Sequence, residues 1–144
     1  MALRVTPPFT AAALAMALLL TGCQAPGGSP APIRCASGEA MQQTTLYFGL
    51  SRPAGPAIDE AQWQRFVDSE VTPRFRDGLT VFAAQGQWLG HNGQVVREPS
   101  RALMLIHDAD AAASAKIDAL RTAYQQRFQQ ESVMRVDAPV CVAF

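Results

Sequence analysis

Ala113, Ile117, Leu120, Tyr124 and Phe128 recur at steps of four, three, four and four residues. On an α-helix that spacing draws one apolar stripe, and such a helix needs a flat apolar surface to lie on. Asp108 or Asp110 can cap its start. An earlier segment has the same character. Trp63, Phe66, Val67 and Val71 share one helical face, and Asp59 and Gln62 have the spacing of a capping box. Ile58 and Trp63 stand at the positions of a hydrophobic staple. Pro73 drives Thr72 away from helical angles and marks the end of that helix.

The surface these helices require is supplied by extended segments. Residues 44–51, TTLYFGLS, read as a buried strand, followed by a loop with Pro53, Gly55 and Pro56. Residues 79–84 read as a second strand, with a bulge at Gly86 before the run resumes at 87–89. Asn92-Gly93 suits a type I′ hairpin turn. The return strand begins near Gln94, is kinked or bulged at Pro99, and ends in the continuously apolar ALMLI of residues 102–106. Residues 132–136 give a last strand that resumes after Pro139. The order β-α-β-β-α-β predicts a ferredoxin-like α+β domain: a four-stranded antiparallel sheet with two helices on one face. That arrangement puts the first and third strands, here the two most apolar, in the centre.

Ahead of this domain, Arg4 is followed by an almost wholly apolar run over residues 10–20 and then Leu20-Thr21-Gly22-Cys23. The run is short of the roughly 20 apolar residues a membrane span needs and has the layout of an export signal. An ordinary secretory signal would leave Cys23 incidental. The four closing residues, however, resemble a bacterial lipobox. That resemblance implies cleavage before Cys23, acylation of its sulfur and anchorage in a lipid bilayer; paired acyl chains hold a protein there stably. Gln24, where an Asp favours inner-membrane retention, points to an outer-membrane lipoprotein facing the periplasm. The organisation expected is a signal over residues 1–22, a lipidated cysteine and Pro/Gly-rich tether over 23–43, and one domain over 44–144.

Twelve Lys and Arg balance twelve Asp and Glu, and Lys116 is the only lysine. With no basic run and no interleaving of basic and aromatic residues, nucleic acid is not an expected partner. Once Cys23 is set aside, Cys35 and Cys141 remain. In an oxidising envelope compartment an even pair reads as a disulfide, the alternative being two reduced thiols. The fold expectation agrees with the bridge, because the end of the fourth strand lies beside the start of the first.

LYFGLSRPAG (46–55), the Trp63 helix, TPRFRDGLTVFAAQGQW (72–88), VREPSRALMLIH (96–107) and YQQRFQQESVMRVDAPVCVAF (124–144) together resemble the DUF3574 family, bacterial lipoprotein-like envelope proteins of unknown function. The resemblance covers nearly the whole domain. It implies a shared fold and an envelope setting, and brings no reaction, cofactor or partner. Arg76 stands where the family's PRFPDGLT-type motif has proline.

The densest set of functional groups is Arg74, Asp77, Arg97, Glu98, Ser100 and Arg101. Read functionally, they form a polar pocket in which an arginine fork holds an anion. Read structurally, Asp77 and Gly78 make a turn while Arg74 and Glu98 satisfy loop backbone or pair at the surface. Arg97 and Glu98, being adjacent, point to opposite faces of a strand. Glu131 and Ser132 have no histidine near them in sequence and fit a helix-ending turn better than a nucleophile with its base. His91 and His107 make no metal-ligand spacing, and no phosphate loop, nucleophile elbow or Cys-x-x-Cys occurs. No cofactor and no catalytic set is expected. Trp63 and Trp88 read as core or sheet-face residues. Two functional classes remain: an envelope binding module that uses the helix-free sheet face, with a homodimer through that face or an envelope partner, and a small-ligand binder or enzyme with a pocket on a dimeric sheet.

Overall fold

The structure, a computed structural model, describes residues 33–89 and 93–144. The lipobox with Cys23 lies outside the described residues, as do His91 and the Asn92 of the expected Asn92-Gly93 turn. The elements are β1 (Glu39–Gly49), α1 (Glu60–Phe66) running into a π-helical turn (Val67–Val71), β2 (Thr80–Leu89), β3 (Val95–His107), α2 (Ala111–Phe128) and β4 (Met134–Val142). The strands form one antiparallel sheet in the order β2-β3-β1-β4, so the first and third strands are central and the fold is ferredoxin-like. β1 begins five residues before the expected Thr44: residues 39–43 of the segment read as tether pair with β4, and Gln42 and Gln43 pair with β3 as well.

Both helices lie on the sheet face that carries Leu46, Phe48, Leu103 and Leu105. Each expected stripe residue is buried: Trp63, Phe66, Val67 and Val71 from the first helix, and Ala113, Ile117, Leu120, Tyr124 and Phe128 from the second. The centre of the core is aromatic. The ring of Phe48 lies 5.3 Å from Trp63, 5.8 Å from Phe66 and 4.6 Å from Tyr124, with the last two in edge contact. The Tyr124 hydroxyl leaves this apolar cluster to donate to the Gly49 carbonyl at 2.8 Å. Burial, and then the nearby Glu98 carboxylate, push its pKa well above the usual value, so it stays a neutral donor.

Asp59 and Gln62 form the capping box, each side chain bonding the other's backbone N–H. Asp110, rather than Asp108, caps α2 by accepting from Ala113 N. Thr72 does not leave helical angles ahead of Pro73; it sits at φ −54°, ψ −42°. The bonding instead slips to Thr72 N–Val67 O, one residue wider than an α-turn, and the proline follows in a turn where no N–H is required of it.

No bulge occurs at Gly86 or Pro99: the β2–β3 register is unbroken from Thr80↔Met104 to Leu89↔Val95. Pro99 is tolerated in a central strand because its polar groups face the end of β1. Its carbonyl accepts from Leu50 N, and it has no N–H to return. The Leu50 carbonyl thus left over accepts from Ile58 N at 2.7 Å, which ties the start of the first helix to the sheet. Pro139 likewise leaves β4 continuous, as an edge strand allows.

Cys35 and Cys141 are disulfide-bonded with Cα atoms 5.5 Å apart, closing a separation of 106 residues. Gly38 makes the approach feasible. It has φ +74°, and a Cβ there would lie 2.0 Å from the Val142 carbonyl oxygen.

Phe48→Ala should cost about 3–5 kcal/mol in denaturant unfolding, since three neighbouring rings lose their common partner. Reduction of the Cys35–Cys141 bridge should lower stability by about 2–4 kcal/mol while native near-UV circular dichroism persists below the shifted midpoint.

Candidate functional site

The polar groups singled out from the sequence fall at opposite ends of the sheet. Arg74 pairs with Glu70 at 2.8 Å one turn away and also donates to its carbonyl. With Asp77 it lines a cavity of about 420 Å³ beside His107, Asp108, Asp110 and Lys116. Six residues further along the paired strands, roughly 20 Å at the strand rise, lie the others. Arg97 donates to Gln87 Oε1 at 2.8 Å. Glu98 is on the opposite face, its carboxylate lying over Gly49 and accepting from Ser51 N at 3.0 Å. Ser100 is buried opposite Gly49, and Arg101 pairs with Glu60. Arg74 and Asp77 therefore share a concavity from which Arg97, Glu98 and Ser100 are absent. Glu131 and Ser132 are exposed in the turn that ends α2, whose C-cap Gln129 is left-handed.

The cavity beside Asp77 borders a chain of hydrogen bonds that runs from buried His107 and Thr44 out to the exposed Asp137. His107 Nε2 lies 2.9 Å from Thr44 Oγ1, and the Thr44 hydroxyl donates to Asp137 Oδ1 at 2.5 Å. His107 Nδ1 lies 2.8 Å from the Asp108 carbonyl, which can only accept. Asp137 feels burial, which raises its pKa. The Thr44 and Arg135 hydrogen bonds and the charges of Arg135 and His107 outweigh that, and the net shift is downward. The chain links β1, β3 and β4, and its members are committed to one another rather than to the cavity. Among the described residues, no three His, Cys, Asp or Glu side chains are placed to hold a metal ion.

The largest unpartnered feature is the sheet face away from the helices. Tyr47, Phe82, Trp88, Met134 and Val136 stand on it, between 37% and 56% exposed. Tyr47, Phe82, Met134 and Val136 surround the smaller side chains of Thr45, Ala102 and Met104 on the same face, while Trp88 stands opposite Val96 toward the far end of β2 and β3, beyond Glu98. The described charged residues on this face are Glu39 at one end and Glu98 at the other; Arg97, Arg101, Arg135 and Asp137 all point to the helix side. Of the two tryptophans, Trp63 is core and Trp88 is exposed here. The other four residues of the strip were not singled out from the sequence. The alternation Met134, Val136 on β4 carries the signal, but it becomes legible only once the register fixes which parity faces outward.

The geometry defines a disulfide-braced, ferredoxin-like α+β domain, one sheet face closed by helices and the other bare and apolar. The family model "Protein of unknown function (DUF3574)" matches residues 43–144, and the chain belongs to that family. No match was found among functionally curated proteins. Similar solved structures include a phage SAM lyase in complex with S-methyl-5'-thioadenosine, with 18% identity, a TM-score of 0.54, and coverage of 76% of this chain and 95% of that one. The same lyase in its apo state gives 18% identity and a TM-score of 0.54, covering 78% of this chain and 97% of the other. CutA from Synechococcus elongatus has 12% identity and a TM-score of 0.49, covering 73% and 81%. At these identities the likeness is one of fold.

Because the carboxyl of Asp137 is held below the usual range, it favours the folded state at pH above that range, and the gain is lost as pH falls through its folded value. Asp137→Asn should therefore be less stable than the parent near neutrality, and the two unfolding midpoints should converge at strongly acid pH. A difference that persists unchanged into acid would contradict the assignment.

Proposed function

We propose that this protein is a lipid-anchored module of the bacterial cell envelope that works by association through its bare sheet face, and that a second copy of the chain covers that face. The apolar strip of Tyr47, Phe82, Trp88, Met134 and Val136 carries the reading. Three considerations support a second copy. In an isologous interface the same patch meets itself, and the part of this face formed by Tyr47, Phe82, Met134 and Val136 holds no charge to repel a second copy. Four strands about 4.8 Å apart and about 30 Å long give a footprint of roughly 600 Å² before side-chain relief. That approaches the roughly 800 Å² per partner of a standard interface. The helices already close the opposite face, so the core is complete without the partner.

The address rests on the Leu20-Thr21-Gly22-Cys23 motif, and the Cys35–Cys141 bridge supports it, since such bonds persist in oxidising compartments. In this reading Cys23 carries the acyl chains, residues 24–33 act as a tether, and the domain faces the periplasm from the outer membrane. An enzymatic role would require Arg74 or Asp77 to act in the cavity beside His107. Arg74 is held by Glu70 and Asp110 by the helix cap, which leaves that cavity poorly equipped.

Sedimentation equilibrium should show a dimer at micromolar concentration, and Trp88→Glu and Phe82→Glu should each shift it toward a monomer that still unfolds cooperatively, with a midpoint no longer dependent on protein concentration. A parent protein that stays monomeric at high micromolar concentration rejects the second copy as occupant. Metabolic labelling with palmitate and envelope fractionation should find the chain acylated and membrane-bound, and Cys23→Ser should abolish both.

A further inference from the structure

A second concavity lies where the loop after β1 passes the first helix and the end of α2, separated from the first by the Glu70 carboxylate that Arg74 and Arg127 share. It has a volume of about 720 Å³ and is lined by Arg52, Gln62, Arg65, Asp68, Ser69, Arg127 and Phe128. Three guanidinium groups thus face one space against a single lining carboxylate. Gln62, Arg65 and Ser69 follow one another at three and four residues and present one side of the helix to it.

The three arginines are held differently. Arg127 is fixed: it pairs with Glu70, donates to Ser69 Oγ at 3.1 Å, and lies 5.5 Å from the centre of the Phe66 ring. Glu70 is itself shared with Arg74, so its charge is divided between two cations. Arg52 lies 5.5 Å from the centre of the Phe128 ring, a contact that orients the guanidinium without neutralising it. Its Nε is the one buried side-chain nitrogen or oxygen without a hydrogen-bond partner among the described residues. With Nε covered by neighbouring atoms, only the terminal amino groups of Arg52 can reach a ligand in the groove. Arg65 is exposed at the rim and forms no ion pair among the described residues.

We infer that this groove is an anion site that takes a phosphate group, with Arg52 and Arg65 as its open forks and Arg127 as a fixed third cation. Converging forks and a net excess of positive charge suit a tetrahedral oxyanion with several acceptor oxygens. The groove is open to solvent, which leaves room for the phosphate to be carried on a larger molecule. It can be a soluble phosphomonoester or the headgroup of an anionic phospholipid. The inference uses none of the residues of the bare sheet face and stands apart from the dimer.

The test uses the full-length protein in detergent micelles, titrated calorimetrically with inorganic phosphate and with glycerol 3-phosphate. A second arm measures co-flotation of the Cys23→Ser chain with vesicles of phosphatidylglycerol or of phosphatidylcholine. Saturable binding to either phosphate probe, or to phosphatidylglycerol alone of the two lipids, is expected; the first identifies a soluble ligand and the second a headgroup. Arg65→Gln, at the exposed rim, should weaken that binding roughly tenfold or more, the scale of a lost charged hydrogen bond. Arg52→Gln should do the same if its unfolding midpoint shows that it folds. Arg76→Gln removes the same charge outside the groove and should leave binding unchanged. Failure of every probe to bind overturns the inference, as does equal weakening by Arg65→Gln and Arg76→Gln.

Discussion

The structure turns on the ring of Phe48. It projects from the centre of β1 into the space between the helices and meets Trp63, Phe66 and Tyr124 together. Through those contacts one side chain of the sheet sets the height and tilt of both helices. The Tyr124 hydroxyl, by reaching the Gly49 carbonyl, pins the same cluster to the end of the strand that supplies Phe48. Because every other residue along β1 points the opposite way, committing Phe48 to the helices commits Tyr47 to the bare face. The closed and open sides of the domain follow from that single parity.

The end of the sheet near Gly49 shows how a proline in a central strand is made useful. Pro99 stops the β1–β3 ladder by lacking a donor, and the acceptor this frees on Leu50 takes Ile58 N at the first helix. Glu98 beside it reaches over Gly49 to Ser51 N. A residue with a side chain at position 49 would meet that carboxylate. The loop leading toward the arginine groove is thus fixed on both sides before Arg52 begins, which is why a cation there can sit partly buried over Phe128.

Much of this was legible in the sequence because it is local or periodic. The stripe from Ala113 to Phe128, the capping box at Asp59 and the order of elements all depend on residues close in the chain. Cys35 and Cys141 could be paired because the strand order brings their neighbours together. What could not be read depended on register. The expected bulge at Gly86 and kink at Pro99 rested on residue type, whereas the outcome was set by which edge of the strand each polar group faced. Thr72 kept helical angles because the turn widened, an option that a rule about prolines does not contain. Arg74 and Arg97 seemed alike as polar residues near turns, yet the sheet holds them apart along its length. Arg52, Arg65 and Arg127 come from three separate segments, and nothing in their spacing announces that they share a space.

The bridge between Cys35 and Cys141 also has a mechanical meaning. A pull on the chain ahead of Cys35 would otherwise act on the first residues of β1 alone, where backbone pairs can be opened in turn. The covalent link passes part of that tension directly into β4, and β1 lies between β4 and β3. Traction from the N-terminal side is therefore shared by two strands of the sheet and resisted by both ladders of β1 at once. The domain is clamped at the point where its leading segment joins it.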